Sequence, residues 1–208
     1  MYKIKSTLLT LALALTAPRV ASSFSPASFL GPLKCWSSRL HARSTHSGPV
    51  LRMVYDPDAK IAELGITLPK VAAAAANYVP YIVSGNYVYV AGQIPILNGE
   101  IQFKGTVPKD KSMDIAYQSA RLCGLNIIAQ VKDACGGNLK RVKKVVKLVG
   151  FVNSESTFTD QPKVINGASD LMVEVFGDVG RHARSAVGVN VLPLGVTTEV
   201  EAIIEITP

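Results

Sequence analysis

The run Glu199–Ile206 constrains the fold more than any other part of the chain. Val200, Ala202, Ile204 and Ile206 alternate strictly with Glu199, Glu201, Ile203 and Glu205. A period of two is the mark of a strand with one face in a core and the other face against something different. A second β-rich run, Ser185–Leu192, precedes it across a Leu-Pro turn. Arg184 opens the first of these strands and Glu199 the second. On neighbouring strands, a guanidinium and a carboxylate so placed can hold a small carboxylate substrate and handle a proton beside it.

The rest of the body supplies layers to cover such a sheet. Asp56–Leu64 predicts a short helix capped by Asp56, with Pro57 at its first position and Gly65 ending it. The alanine run at 72–76 leads into Tyr78–Ser84 and Tyr87–Ala91, two strands joined by Gly85-Asn86 as a hairpin. Asn98-Gly99 predicts another turn, followed by a short strand over Glu100–Lys104. Ser112–Cys135 predicts a long helix with an apolar stripe of Ala116, Ala120, Cys123, Ile127 and Val131, stopped by Gly136-Gly137. Arg141–Asn153 reads as a strand, and Asp160–Phe176 as a second long helix with the stripe Val164, Ala168, Leu171 and Val175. The expected fold class is α+β: one domain with a mixed sheet and two helices on one face. The other face, bearing the glutamates, suits an oligomer interface that holds a site.

Charge and cysteine content remove several functions. The formal charge is +7, yet no Asp or Glu occurs before Asp56, and seven of the 22 Lys and Arg lie there. From Asp56 on the chain is electrically balanced, which argues against a sequence-independent nucleic-acid binder. The run Lys140–Lys147 reads as a solvated sheet edge rather than a nucleic-acid patch. Only one histidine, His182, lies in the body, and it reads as a loop residue. Nothing resembles metal-ligand spacing, so no metal is expected. Cys123 and Cys135 fall on one predicted helix about 18 Å apart, too far to bridge, and Cys123 reads as core.

Residues 1–53 form an expected bipartite targeting presequence. Met1–Lys5 and the apolar run Thr7–Ala17 have the make-up of a signal peptide extending to about residue 22. The Ser- and Arg-rich, acid-free stretch from about 23 to 53 has that of a transit peptide. The junction Ala21-Ser22-Ser23-Phe24 resembles the cleavage motif of proteins imported into complex plastids. The resemblance implies a plastid location, with secretion or mitochondrial import as alternatives and no membrane span in the mature form. Residues 54–208 are the folded domain.

Within that domain, AGQIP (91–95), FVN (151–153), the helix carrying Asn166 and ARSAVGVNVLPLGVTTEVEAI (183–203) together resemble the Rid, or YjgF-type, family of reactive-intermediate deaminases. The resemblance implies a chorismate-mutase-like fold assembled as a homotrimer with clefts between subunits. It also implies cofactor-free hydrolysis of 2-imino and enamino acids to 2-keto acids and ammonia. By position, Arg184 matches the arginine that grips the substrate carboxylate and Glu199 the glutamate that positions or activates water. Tyr81 corresponds to the tyrosine that closes the cleft, Gly92 to a backbone position lining it, and Asn166 to a nearby polar residue. Ala91 and Ala186 stand where the family pattern has Ser and Cys, which bears on substrate identity. A non-catalytic keto-acid-binding role, then RNA cleavage, are the alternative functions.

Overall fold

The computed structural model describes residues 55–71 and 77–208. The expected presequence and the alanine run at 72–76 lie outside the described residues. Helix α1 spans Pro57–Glu63, α2 Met113–Ala134 and α3 Gln161–Phe176. The strands are β1 (Tyr81–Ser84), β2 (Tyr87–Gln93), β3 (Ile96–Leu97), β4 (Glu100–Ile101), β5 (Val142–Asn153), β6 (Ala183–Val189) and β7 (Thr198–Ile206).

Local chemistry accounts for most boundaries. Asp56 Oδ1 accepts from the amides of Asp58 and Ala59, which satisfies donors that the first turn of α1 leaves free. Ser112 caps α2 through the Ile115 amide, and Gly136 and Gly137 end it with positive φ. Asp160 precedes α3 without capping it; its carboxylate pairs with Lys163 instead. Gly85-Asn86 closes the β1–β2 hairpin with Ser84 opposite Tyr87.

Five strands form one mixed sheet in the order β1-β2-β7-β5-β6. All pairs are antiparallel except β5 and β6. The expected fold class therefore stands: an α+β domain of chorismate-mutase-like type. Two expectations need correction. First, β6 and β7 are consecutive in sequence but are not neighbours. The crossover through α3 lays β6 parallel to β5, and β7 takes the opposite side of β5. Second, the strand expected over 100–104 is shorter and lies outside the sheet, in a two-stranded ribbon of β3 and β4. Asn126 of α2 holds that ribbon by donating to the carbonyls of Ile94 and Ile96. The Lys140–Lys147 run is also not at an edge: β5 is an interior strand, and its exposed Lys143 pairs with Glu205.

The core lies between the sheet and the α2/α3 pair. Both predicted helical stripes are buried in it, as are Val200, Ala202, Ile204 and Ile206 of β7. Helices α2 and α3 touch backbone to backbone where Gly167 faces Tyr117. A Cβ on Gly167 would collide with the Tyr117 carbonyl oxygen and reach the Arg121 amide nitrogen at 3.0 Å. Neither atom has a rotamer through which to yield. Gly167→Ala gains about 1 kcal/mol of helix propensity but incurs about 3 kcal/mol of overpacking. A net destabilisation of about 2 kcal/mol in urea unfolding is expected; an unchanged midpoint would mean that the helices separate freely.

Candidate functional site

The face of the sheet turned away from α2 and α3, helix-free among the described residues, carries an apolar field broken by carboxylates. Ile82, Tyr87, Tyr89 and Val187 are exposed on it, in register with the β7 face that bears Glu199, Glu201, Ile203 and Glu205. A concavity of about 350 Å³ opens here, lined among others by Ala91, Lys147, Val149, Glu201 and Ile203.

Glu199 sits at one end of this face over a bulge in β2. Val90 pairs with Ala202 and Gln93 with Val200, so Ala91 and Gly92 together face the single residue Glu201. The bulge brings the Gly92 backbone under the Glu199 side chain. A Cβ on Gly92 would overlap the Glu199 Oε1 atom; the missing side chain is the space the carboxylate occupies. Burial, and secondarily the charge of Glu201, raise the pKa of Glu199 above the ordinary glutamate value. Among the described residues no cation pairs with it. Behind it, Thr198 is anchored to α2 by a 2.6 Å contact with the Ser119 hydroxyl. Cys123 Sγ lies 3.4 Å from the Thr198 hydroxyl. Burial pushes that thiol up to about 12, so Cys123 is protonated core, as its sequence position implied.

Arg184 lies on the other side of the sheet, at its β6 edge. It pairs in register with Leu148, whose side chain is in the helix-covered core. The half-buried guanidinium turns toward α3. Nη1 donates to Asn166 Oδ1 at 2.8 Å and to Ser169 Oγ at 2.9 Å. Both partners are neutral, and among the described residues no carboxylate pairs with Arg184. Ser169 extends the chain to His182, with Oγ and Nε2 3.0 Å apart, and His182 Nδ1 lies 2.6 Å from the Gly180 carbonyl oxygen.

The structure thus joins some sequence-selected residues and separates others. Arg184 and Asn166 meet directly. Glu199, Gly92 and Ala91 share the β2–β7 bulge. Ala186 packs against the core on the same side as Arg184. The two groups are apart within one chain. Arg184 is level with Leu148 and Glu199 with Phe151 on β5. They stand roughly 10 Å apart along the strands and about 10 Å across them, with side chains on opposite faces. Tyr81 lines the concavity together with Ala91 and Glu201. Its hydroxyl donates to Asp133 at the end of α2, at 2.7 Å, and that bond is the first cause of its raised pKa. Sequence reasoning missed Ser169 and the inward turn of His182. Ser169 is three residues after Asn166, on the same helical face, and that spacing was the available signal.

Residues 58–206 match the family model described as "YjgF/chorismate_mutase-like, putative endoribonuclease". The chain is 46% identical over 149 residues to Protein TCP17 of Trypanosoma cruzi, covering 71% of this chain and 92% of that one. It is 28% identical over 131 residues to Protein HMF1 of Saccharomyces cerevisiae, covering 63% and 85%. A crystal structure of the protein Atu1372 from Agrobacterium tumefaciens, of unknown function, superposes with a TM-score of 0.68 at 46% identity, covering 73% of this chain and 92% of that one. One from Shewanella oneidensis, described as a "putative endoribonuclease", does so with a TM-score of 0.70 at 38% identity, covering 73% and 99%. On its sequence, its fold and these matches, the chain belongs to the YjgF/Rid family.

Proposed function

We propose that this protein hydrolyses reactive 2-imino and enamino acids to 2-keto acids and ammonia, in clefts between the subunits of a homotrimer. The observation that carries the reading is a pair of uncommitted charges. Arg184 is half-buried, oriented by neutral acceptors and free of any carboxylate among the described residues. Glu199 is half-buried and, among the described residues, free of any cation. Partly buried charges are costly unless something pairs with them. A small anion completes the arginine and a polarised water completes the glutamate. Since the two groups lie on opposite faces of one sheet, a single cleft that uses both draws them from two subunits. The apolar helix-free face is the surface such an assembly covers.

The steps follow from the groups. Arg184 of one subunit grips the substrate carboxylate by its fork. Glu199 of the adjacent subunit takes a proton from water as the water oxygen adds to the imine carbon and the C=N π pair moves to nitrogen. Glu199 then gives that proton to the nitrogen, forming the neutral carbinolamine. Glu199 passes the carbinolamine hydroxyl proton to the amino nitrogen, the C–N bond breaks with its electron pair on nitrogen, and ammonia leaves as the C=O of the keto acid forms. Positioning and one general base suffice for a substrate that also hydrolyses in water. Ala91 and Ala186 leave this chemistry untouched; they remove polar side chains that the family pattern has there, which bears on the substrate's identity.

The test is the rate of 2-iminopropanoate or 2-iminobutanoate hydrolysis with and without the protein, followed across pH. A general base works only when deprotonated, so the rate rises as pH climbs through the Glu199 pKa. Because that pKa is raised, the acid limb lies above the range of an ordinary glutamate. Glu201→Gln removes the lesser of its two causes and is expected to move the limb to lower pH, while burial still holds it above the ordinary value. No acceleration by the native protein, or a limb indifferent to Glu201, would count against the mechanism.

A further inference from the structure

We propose that Ser169 and His182 are positioning residues for Arg184, forming a relay from the Gly180 carbonyl that presents one edge of the guanidinium to the substrate carboxylate. The inference rests on the function proposed above and extends it to residues on α3 and in the turn before β6.

Hydrogen-bond direction fixes each member. The Gly180 carbonyl oxygen only accepts, so His182 Nδ1 carries the proton facing it at 2.6 Å. In the neutral ring Nε2 is then an acceptor, and the Ser169 hydroxyl 3.0 Å away donates to it. That leaves the lone pairs of Ser169 Oγ facing Arg184, where Oγ accepts from Nη1 at 2.9 Å. Asn166 Oδ1 accepts from the same nitrogen at 2.8 Å. Both N–H groups of Nη1 are thereby committed to α3. The Nε and Nη2 hydrogens, which lie along one edge of the planar group and match a carboxylate bidentately, remain for the ligand.

The anchor of the relay is rigid. Gly180 is buried against α3, where a Cβ would collide with the Met172 carbonyl oxygen. Burial is the main reason His182 has a lowered pKa; the Gly180 hydrogen bond opposes it, Arg184 on β6 and Lys144 on β5 add to it, and the net direction favours the neutral ring that the relay needs. Without the relay the guanidinium keeps its charge and the Asn166 bond, but Nη1 is held by one hydrogen bond in place of two.

The experiment compares Ser169→Ala, Ser169→Thr, His182→Gln and Arg184→Lys with the native protein. Two readouts are taken: calorimetric binding of 2-oxobutanoate and steady-state hydrolysis of 2-iminobutanoate. Loss of one oriented bond to a charged group is expected to raise Kd and KM about tenfold in Ser169→Ala. Its kcat and melting temperature should stay close to native. Ser169→Thr, which keeps the hydroxyl, should restore both constants, and His182→Gln should weaken binding in the same sense as Ser169→Ala. A purely structural role would lower stability and kcat together and would show no split between KM and kcat. If Ser169→Ala and His182→Gln bind as tightly as the native protein while Arg184→Lys does not, the positioning role is overturned and the role of Arg184 stands. If the native protein binds no 2-oxobutanoate, the function itself fails and the relay with it. Should Ser169→Ala fold poorly, native-like constants in His182→Gln would still overturn the proposal.

Discussion

Arg184→Ala and Glu199→Gln, each inactive alone, are expected to regain activity when their chains are assembled together. Each variant removes one half of the proposed cleft. Loss of the carboxylate grip or of the general base should lower kcat/KM for 2-iminobutanoate by about a hundredfold or more. Within one chain the two residues are level with different β5 partners, Leu148 and Phe151, and lie on opposite sides of the sheet. A cleft that uses both takes Arg184 from one subunit and Glu199 from the next. In trimers formed at random from equal amounts of the two variants, half of the arginine positions and half of the glutamate positions are intact. About one cleft in four then carries both intact, so about a quarter of native activity should return. Co-refolding the two chains and measuring hydrolysis against the mixing ratio tests this. Activity that never exceeds that of the separate variants would rule out a cleft shared between subunits. Retained activity in Arg184→Ala would remove the guanidinium from the mechanism altogether.

Much of the fold was legible because its determinants are local or periodic. The stripes of α2 and α3 and the alternation in β7 follow from burying one face of a regular element. The Asp56 cap and the Gly85-Asn86 hairpin depend on residues within a few positions of each other. The strand order was not legible in the same way. Whether β7 lies beside β6 or beyond β5 depends on which strand meets the far side of β5, a choice made by long-range packing and not by the Leu-Pro turn between them. The length of β4 depended on a distant partner too, since Phe103 and Lys104 leave the ribbon for the segment before β7: the Thr197 amide donates to the Phe103 carbonyl and Lys104 bridges to Val196.

The candidate site divides along the same line. Family resemblance picked out Arg184, Asn166, Gly92 and Glu199, and the structure gives these residues two separate settings. Tyr81 illustrates the limit. Its place before AGQIP marked it for the cleft, and it lines the concavity beside Ala91, but nothing in the sequence showed that its hydroxyl meets Asp133, fifty-two positions away. The Ser169–His182 contact spans thirteen residues and two kinds of structure. No periodicity joins a helix face to the turn that follows it. His182 therefore read as a loop residue until the fold brought it beneath Arg184.

Gly92→Ala should abolish most activity without unfolding the protein, because the added methyl occupies the volume of the Glu199 carboxylate. Gly92 has no positive φ that alanine would strain, so the backbone tolerates the change. The obstacle is the overlap of a Cβ with Glu199 Oε1. The end of that side chain is flexible and moves aside, which keeps the stability cost small but takes the carboxylate off its water. A displacement of about 1 Å at a reacting group can cost about a hundredfold in rate, and that is the expected loss in kcat, with a melting temperature near native. A shorter side chain relieves the overlap. Glu199→Asp alone withdraws the carboxylate from its site and is itself impaired, but adding it to Gly92→Ala should cost far less than the product of the two single losses. That non-additivity separates displacement of Glu199 from any independent effect of the methyl on the cleft. Strictly multiplicative losses, or full activity in Gly92→Ala, would show that the carboxylate over the β2 bulge is not the group that acts.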